Sequence, residues 1–227
     1  MIDLNPPPFV ERFQYKNCVQ VNDPVTRKRV YKTPDGESLP SVTTILGATK
    51  DMTALNEWRD RIGWDKAAQI TREAAGVGTA MHSNLERFLC GVQRQPGNNP
   101  VHVQANSMAD VIIKNGIKDL DEVWAMEQSL YFPGLYSGTT DKGNPSVCDY
   151  KQTNKPKKAE WIEDYYIQLV AYILAHNEVY GTDIREGHVF MCSRDLQYQQ
   201  FDLMPSEFSK YQDLWLSKVE EYWSSNK

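Results

Sequence analysis

No run in this sequence approaches the roughly 20 consecutive apolar residues that a membrane-spanning helix needs, so a membrane protein of that kind is not expected. The opening "MIDLNPPPFVERF" lacks the basic and apolar regions of a secretory signal and the arginine-rich, acid-poor character of a transit peptide. A cytoplasmic protein is the resulting expectation. Cysteine is scarce and scattered: Cys18, Cys90, Cys148 and Cys192 form no C-x-x-C pair. That excludes a zinc knuckle or an iron–sulfur cluster built on clustered thiolates, and it suits free thiols in a reducing compartment. Positive charge is not in excess either. A net charge of −5 excludes a protein that coats nucleic acid by bulk charge, while leaving room for a local basic groove. Long low-complexity linkers and evident repeats are also absent.

What remains is a chain of 227 residues with 41% hydrophobic and 24% charged residues, enough for one globular domain over 1–227. Residues 1–40 read as irregular, broken by "NPPPF" and "KTPDGESLP", with "RVYK" as a short strand between them. Residues 41–120 read as a helical region. Gly76 and Gly78 are expected to interrupt it, with a new helix starting near the N-cap residue Thr79. From Val123 the runs "EVWAMEQSLYF", "LYSGTTD" and "SVCDYKQT" read as three strands. The helix "EWIEDYYIQLVAYILAHNEVYG" follows and closes at Gly181. Strands "EGHVFMCS" and "LQYQQFDL" and a final helix with proline near its start complete the chain. The order predicts an α/β protein with a mixed sheet over 121–227 and a helical subregion before it.

One stretch carries unusual chemistry. In "GTTDKGNPSVCDYKQTNKPKK", Asp149 and Lys151 are two apart, so a strand puts them on one face. If residues 142–146 form the turn, Asp141 comes close to Asp149. Two neighbouring carboxylates repel, and a hard divalent cation such as Mg²⁺ relieves the repulsion. A solvated hairpin accounts for the same string, and the string alone does not choose between them.

Other residues leave similar pairs of readings. His82 and Glu86 share a helix face, as a solvated i,i+4 pair or as site residues. Glu127 sits between Met126 and Gln128 on the preceding strand, with a polar face as one reading and a site acid as the other. Gln168 and Tyr172 share a face of an otherwise apolar helix, as a satisfied core-edge pair or as part of a site. Ser41, Thr43 and Thr44 open a helical segment, which suits either a phosphate or plain capping. Arg59 and Arg61 could hold phosphates, whereas Trp58 reads as core. Lys155, Lys157 and Lys158 follow Lys151 directly, as phosphate contacts or as a solvated loop.

Taken in order, "GTAMHSNLE", "MEQSLYFPGLYSGTTD", "VCDYKQTNKPKK" and "YYIQLVAY" resemble the RecB-type branch of the PD-(D/E)XK nucleases. Within that branch the resemblance is to the group of mitochondrial genome maintenance exonucleases with their phage and bacterial relatives. "LPSVTTILGATKDMTALNEWRDRIG" and "WLSKVEEYW" extend it to about residues 38–223. The resemblance implies an α-β-β-β-α-β nuclease core. It also implies that Asp141, Asp149 and the carbonyl of Tyr150 bind Mg²⁺ or Mn²⁺, with Lys151 as the motif lysine. His82 matches the histidine ahead of the core, a metal ligand or orienter, and Glu127 an acid on the preceding strand. Gln168 and Tyr172 match Q-x-x-x-Y. Gln152 departs from the pattern, in which Thr or Ser often follows the lysine directly, and the hairpin between the acids is short.

The function so implied is metal-dependent hydrolysis of DNA from free single-stranded ends, by a monomer that threads the strand through the helices before the core. Two alternatives stand beside it: a duplex-resecting recombination exonuclease, and a noncatalytic nucleic-acid-binding module on the same fold.

Overall fold

The segment expected to be irregular folds into a small antiparallel sheet. The structure, a computed structural model, describes residues 4–24, 27, 29–94, 97–126, 128–143 and 146–226, and of residues 138–143 the backbone only. Strands β1 (Val19–Asn22), β2 (Arg29–Lys32) and β3 (Ser38–Pro40) pair in that order. The "TPDG" read as a breaker is the tight connection between β2 and β3. Gly36 takes φ +89°, a conformation that glycine adopts without a Cβ clash, and the Thr33 amide donates to the Glu37 carbonyl. Tyr31 and Leu39 pack with Cys18 and Tyr131, fixing this sheet against the larger one.

Four helices follow: α1 (Val42–Ala48), α2 (Thr53–Ile62), α3 (Trp64–Leu89) and α4 (Pro100–Asn115). The expected break at Gly76 and Gly78 does not occur, and α3 runs unbroken for 26 residues. A glycine inside a helix costs about 1 kcal/mol against alanine. The buried series Val77, Met81, Leu85 keeps its spacing of four straight through the glycines, and each such burial is worth roughly 1.5–3 kcal/mol. Burial therefore outweighs propensity. Helix α2 buries none of its residues, so Trp58 is half-buried and not the core residue expected.

The second sheet has strands β4 (Gln128–Phe132), β5 (Tyr136–Gly143), β6 (Ser146–Thr153), β7 (Glu186–Ser193) and β8 (Tyr198–Leu203), in the order β4-β5-β6-β7-β8. The strand expected from Val123 is shorter, because Val123 itself makes only a bridge to Phe9. The β5–β6 connection is tighter than expected: the strands run to Gly143 and resume at Ser146. Among the described strands of this sheet only β6 and β7 pair in parallel, and the helix α5 (Glu163–Tyr180) makes the crossover between them. Gly181 closes α5 in the left-handed conformation, φ +64°. Helix α6 (Pro205–Ser225) ends the fold.

The sheet is covered on both faces, which gives a mixed α/β protein. Val147, Val189 and Met191 pack with α5 and α6 around Trp215. Their neighbours Cys148, Tyr150, Phe190 and Cys192 pack with α3 and α4 around Met81, Leu85 and Ile112. Alternation along β6 thus sends Val147 to the α5 side and Tyr150 to the α3 side.

Candidate active site

Two alternate residues of β6 form the charged part of the site. Lys151 Nζ lies 2.6 Å from Asp149 Oδ2, an ion pair on a strand whose Asp149 is only 6% exposed. Burying a carboxylate is costly unless a cation compensates it, and here Lys151 does so. The contact is close but not aligned as a hydrogen bond, so Oδ2 accepts none among the described residues. Lys151 also stands 5.4 Å from the centre of the Tyr165 ring. Burial is the main cause raising the Tyr165 hydroxyl pKa above its ordinary value, while the Lys151 charge opposes that rise.

From the other face, α3 brings His82 to the same strand. His82 Nε2 lies 2.7 Å from the carbonyl oxygen of Tyr150. The β5–β6 ladder spans only three residue pairs, 141–143 with 148–146, and so stops short of Tyr150. Asp141 pairs its backbone with Cys148, the neighbour of Asp149. Its side chain lies outside the described residues, as does Glu127 altogether.

On α5, Gln168 and Tyr172 form a buried pair, the Gln168 amide donating to the Tyr172 hydroxyl at 2.8 Å. Tyr172 in turn lines a cleft of about 1040 Å³ together with His82, Tyr150, Lys151 and Gln152. The α3 wall of this cleft offers Ala74, Ala75, Gly78 and Thr79, so little side chain stands between the helix and an occupant. A methyl at Gly78 would stand 3.5 Å from Gln152 Cγ, and Gln152 donates to the Ala74 carbonyl at 3.1 Å. Glu86 lines the cleft as well, one turn beyond His82.

The remaining wall comes from α1 and β2. Ser41 is buried and caps α1, its Oγ accepting from the Thr44 amide at 3.0 Å. The Thr44 amide is therefore already used, as the capping reading of these residues expects. Ser41 also contacts the hydroxyls of Thr44 at 2.7 Å and Thr43 at 3.0 Å. Ser41 and Thr43 line the cleft, and Thr44 is not among its lining residues.

The basic residues expected to hold DNA are elsewhere. Arg59 lies over the Trp64 ring at 5.2 Å and bonds Asn56, and Arg61 is exposed in the last turn of α2. Lys155 is exposed. The backbone of Lys157 is clamped by Gln199, donating to and accepting from its amide at 2.7 and 2.8 Å. None of these four lines the cleft among the described residues. Lys158 sits over Trp161 at 5.2 Å.

Two residues of the site escaped the sequence. Tyr165 lies three residues before Gln168 and seven before Tyr172, so helical spacing marks it as sharing their face. Arg29 lines the cleft from β2, and no spacing rule links it to a strand 120 residues later.

A divalent metal is compatible with what is present. A histidine nitrogen and a main-chain carbonyl converge within hydrogen-bond distance, and the residue before that carbonyl, Asp149, carries a buried carboxylate oxygen that accepts no hydrogen bond among the described residues. The oxygen donors suit Mg²⁺ or Mn²⁺, while an imidazole nitrogen suits a transition metal better than Mg²⁺. Among the described residues no group of three His, Cys, Asp or Glu side chains gathers at one point, so a full ligand set requires a residue outside them. The four cysteines are in no disulfide; Cys18, Cys148 and Cys192 are buried and Cys90 is exposed. No described helix is long and apolar enough to cross a membrane.

No family model matches this sequence, and no curated protein matches it.

Proposed function

We propose that this protein is a metal-dependent deoxyribonuclease with a PD-(D/E)XK core, hydrolysing phosphodiester bonds from free ends of single-stranded DNA. The observation that carries the reading is that His82 Nε2, the Tyr150 carbonyl and Lys151 meet at one cleft, with Lys151 paired to the buried Asp149. A solvated hairpin has no reason to bury Asp149 or to receive a histidine from a helix on the opposite face of the sheet. Linear order in the sequence and convergence in space are separate facts, and the nuclease reading accounts for both.

In this reading His82, Asp149 and the Tyr150 carbonyl hold Mg²⁺ or Mn²⁺ together with Asp141. With these ligands in place a bound ion would supply a water of lowered pKa and would offset charge on the phosphate. Lys151 donates to a non-bridging phosphate oxygen as negative charge grows there in the transition state. Asp149 and the Tyr165 ring restrain its ammonium, so little reorganisation accompanies the reaction. Gln168 fixes the Tyr172 hydroxyl where the cleft meets α5. The preference for single strands and for ends follows from the family resemblance of the motifs.

The test is digestion of end-labelled single strands with Mg²⁺ or Mn²⁺, repeated with EDTA and with Asp149→Ala and Lys151→Ala. Loss in all three supports the reading. Undiminished digestion by purified Lys151→Ala sinks the mechanism, and metal-independent DNA binding without any cleavage points to a binding module instead.

A further inference from the structure

Arg29 stands on the cleft wall in a chain of net negative charge, and it is in none of the ion pairs among the described residues. Its guanidinium is nevertheless held in place. One terminal nitrogen donates to Thr43 Oγ1 at 3.0 Å and reaches Ser41 Oγ at 3.5 Å. The guanidinium carbon lies 6.0 Å from the centre of the Tyr31 ring, and Tyr31 lines the same cleft. Those contacts occupy one edge of the five-donor fork. No hydrogen bond from its other nitrogens occurs among the described residues. The side chain is exposed, so its charge is open to solvent and to whatever occupies the cleft.

We propose that Arg29, oriented by Thr43, anchors a backbone phosphate of the substrate strand at a position away from the scissile bond. The proposal rests on the nucleic-acid reading above and adds a contact to it. The cleft volume of about 1040 Å³ lies at the upper end of the roughly 300–1,000 Å³ that holds one drug-sized ligand, so more than one nucleotide fits. The metal donors and Lys151 account for the phosphate undergoing attack. A second phosphate needs a second cation, and Arg29 is the arginine among the residues lining this cleft. An arginine with its planar fork already oriented loses less side-chain freedom on binding a phosphate than a free lysine does. The contact reads backbone and not base, so it is indifferent to sequence. The small N-terminal sheet thereby becomes part of the substrate-binding surface, in place of the lysines after Lys151, which lie off the cleft.

The experiment is fluorescence anisotropy of labelled oligo(dT), oligo(dA) and oligo(dC) in EDTA, over a salt series. It compares the full-length wild type with Arg29→Ala and Arg29→Lys, each checked by thermal melting. For single strands, each phosphate neutralised contributes about −0.7 to the slope of log affinity against log salt. Arg29→Ala is expected to weaken binding roughly tenfold at low salt, equally for the three sequences, and to flatten the slope by about 0.7. Arg29→Lys is expected to keep the slope. Wild-type affinity and slope in a folded Arg29→Ala protein overturn the proposal while leaving the nuclease reading intact. Failure of the wild type to bind any oligonucleotide overturns the reading on which the proposal rests.

Discussion

His82 on α3 reaches the carbonyl of Tyr150 on β6, with 2.7 Å between Nε2 and the oxygen. One contact joins a helix on one face of the sheet to the strand that presents Asp149 and Lys151 on the other. If both atoms are metal donors, they would give up this hydrogen bond and each would turn a lone pair to the ion. His82→Ala is then expected to weaken Mn²⁺ binding at least about tenfold in calorimetry, and Asp149→Asn to do the same. A purely structural His82 predicts otherwise: a lower melting temperature with unchanged Mn²⁺ affinity.

The Lys151 ammonium is set by Asp149 at 2.6 Å and by the Tyr165 ring at 5.4 Å. Tyr165→Phe keeps the ring and is expected to keep turnover. Tyr165→Leu removes the ring's attraction for the cation, worth about 0.5–2 kcal/mol, and is expected to lower kcat severalfold with KM nearly unchanged. Equal losses in both variants would instead assign the role to the hydroxyl.

The glycines of the helical region divide into two kinds. A Cβ on Gly76 would have only Val101 Cγ1 near it, at 3.8 Å, so Gly76→Ala is expected to stabilise the protein by about 0.5–1 kcal/mol. A Cβ on Gly116 would meet the Tyr198 hydroxyl at 2.6 Å and the Phe190 ring at 3.1 Å. Gly116→Ala is expected to destabilise by about 1–3 kcal/mol. Urea denaturation of the two variants beside wild type reads both signs.

Of the α/β order, the parts written in local pattern were legible. "SVCDYKQT" and "EGHVFMCS" coincide with β6 and β7, and Gly181 does close α5. Alternation and a left-handed glycine are short-range signals. The continuity of α3 was not legible, because glycine propensity is local whereas the packing of Val77, Met81 and Leu85 against α4 and the sheet is tertiary. Of the N-terminal sheet only β2 was legible, as "RVYK"; β1 and β3 were missed for the same reason, since the strands have three or four residues each, and Tyr31 and Leu39 pack against Tyr131 of the larger sheet. In the site, His82, Tyr150, Lys151 and Tyr172 do come together around one cleft. Arg29 reaches it through long-range topology that no motif encodes, and Lys155 and Lys157 miss it although they follow Lys151 closely in the chain.

Thiol chemistry reports on the layering of the fold. Burial raises the Cys192 thiol to about 11, so at pH 8 it remains almost wholly protonated as well as shielded, and burial also raises the Cys18 thiol. Alkylation at pH 8 is expected to modify exposed Cys90 quickly and the other three only on unfolding. Raising the pH toward 11 increases the Cys192 thiolate fraction, so its protection then rests on burial alone. Rapid modification of four thiols in the native state at pH 8 would contradict the packing of β6 and β7 beneath α3 and α4.

The most direct test of the central claim compares linear and circular single-stranded DNA, each labelled, with purified wild type and Lys151→Ala, in Mn²⁺ and in EDTA. The account predicts that wild type degrades the linear strand in Mn²⁺ and not in EDTA, and spares the circle. It predicts that Lys151→Ala is slower by about a hundredfold or more. Cleavage of the circle would contradict the requirement for an end, and wild-type rates in Lys151→Ala would contradict the site itself.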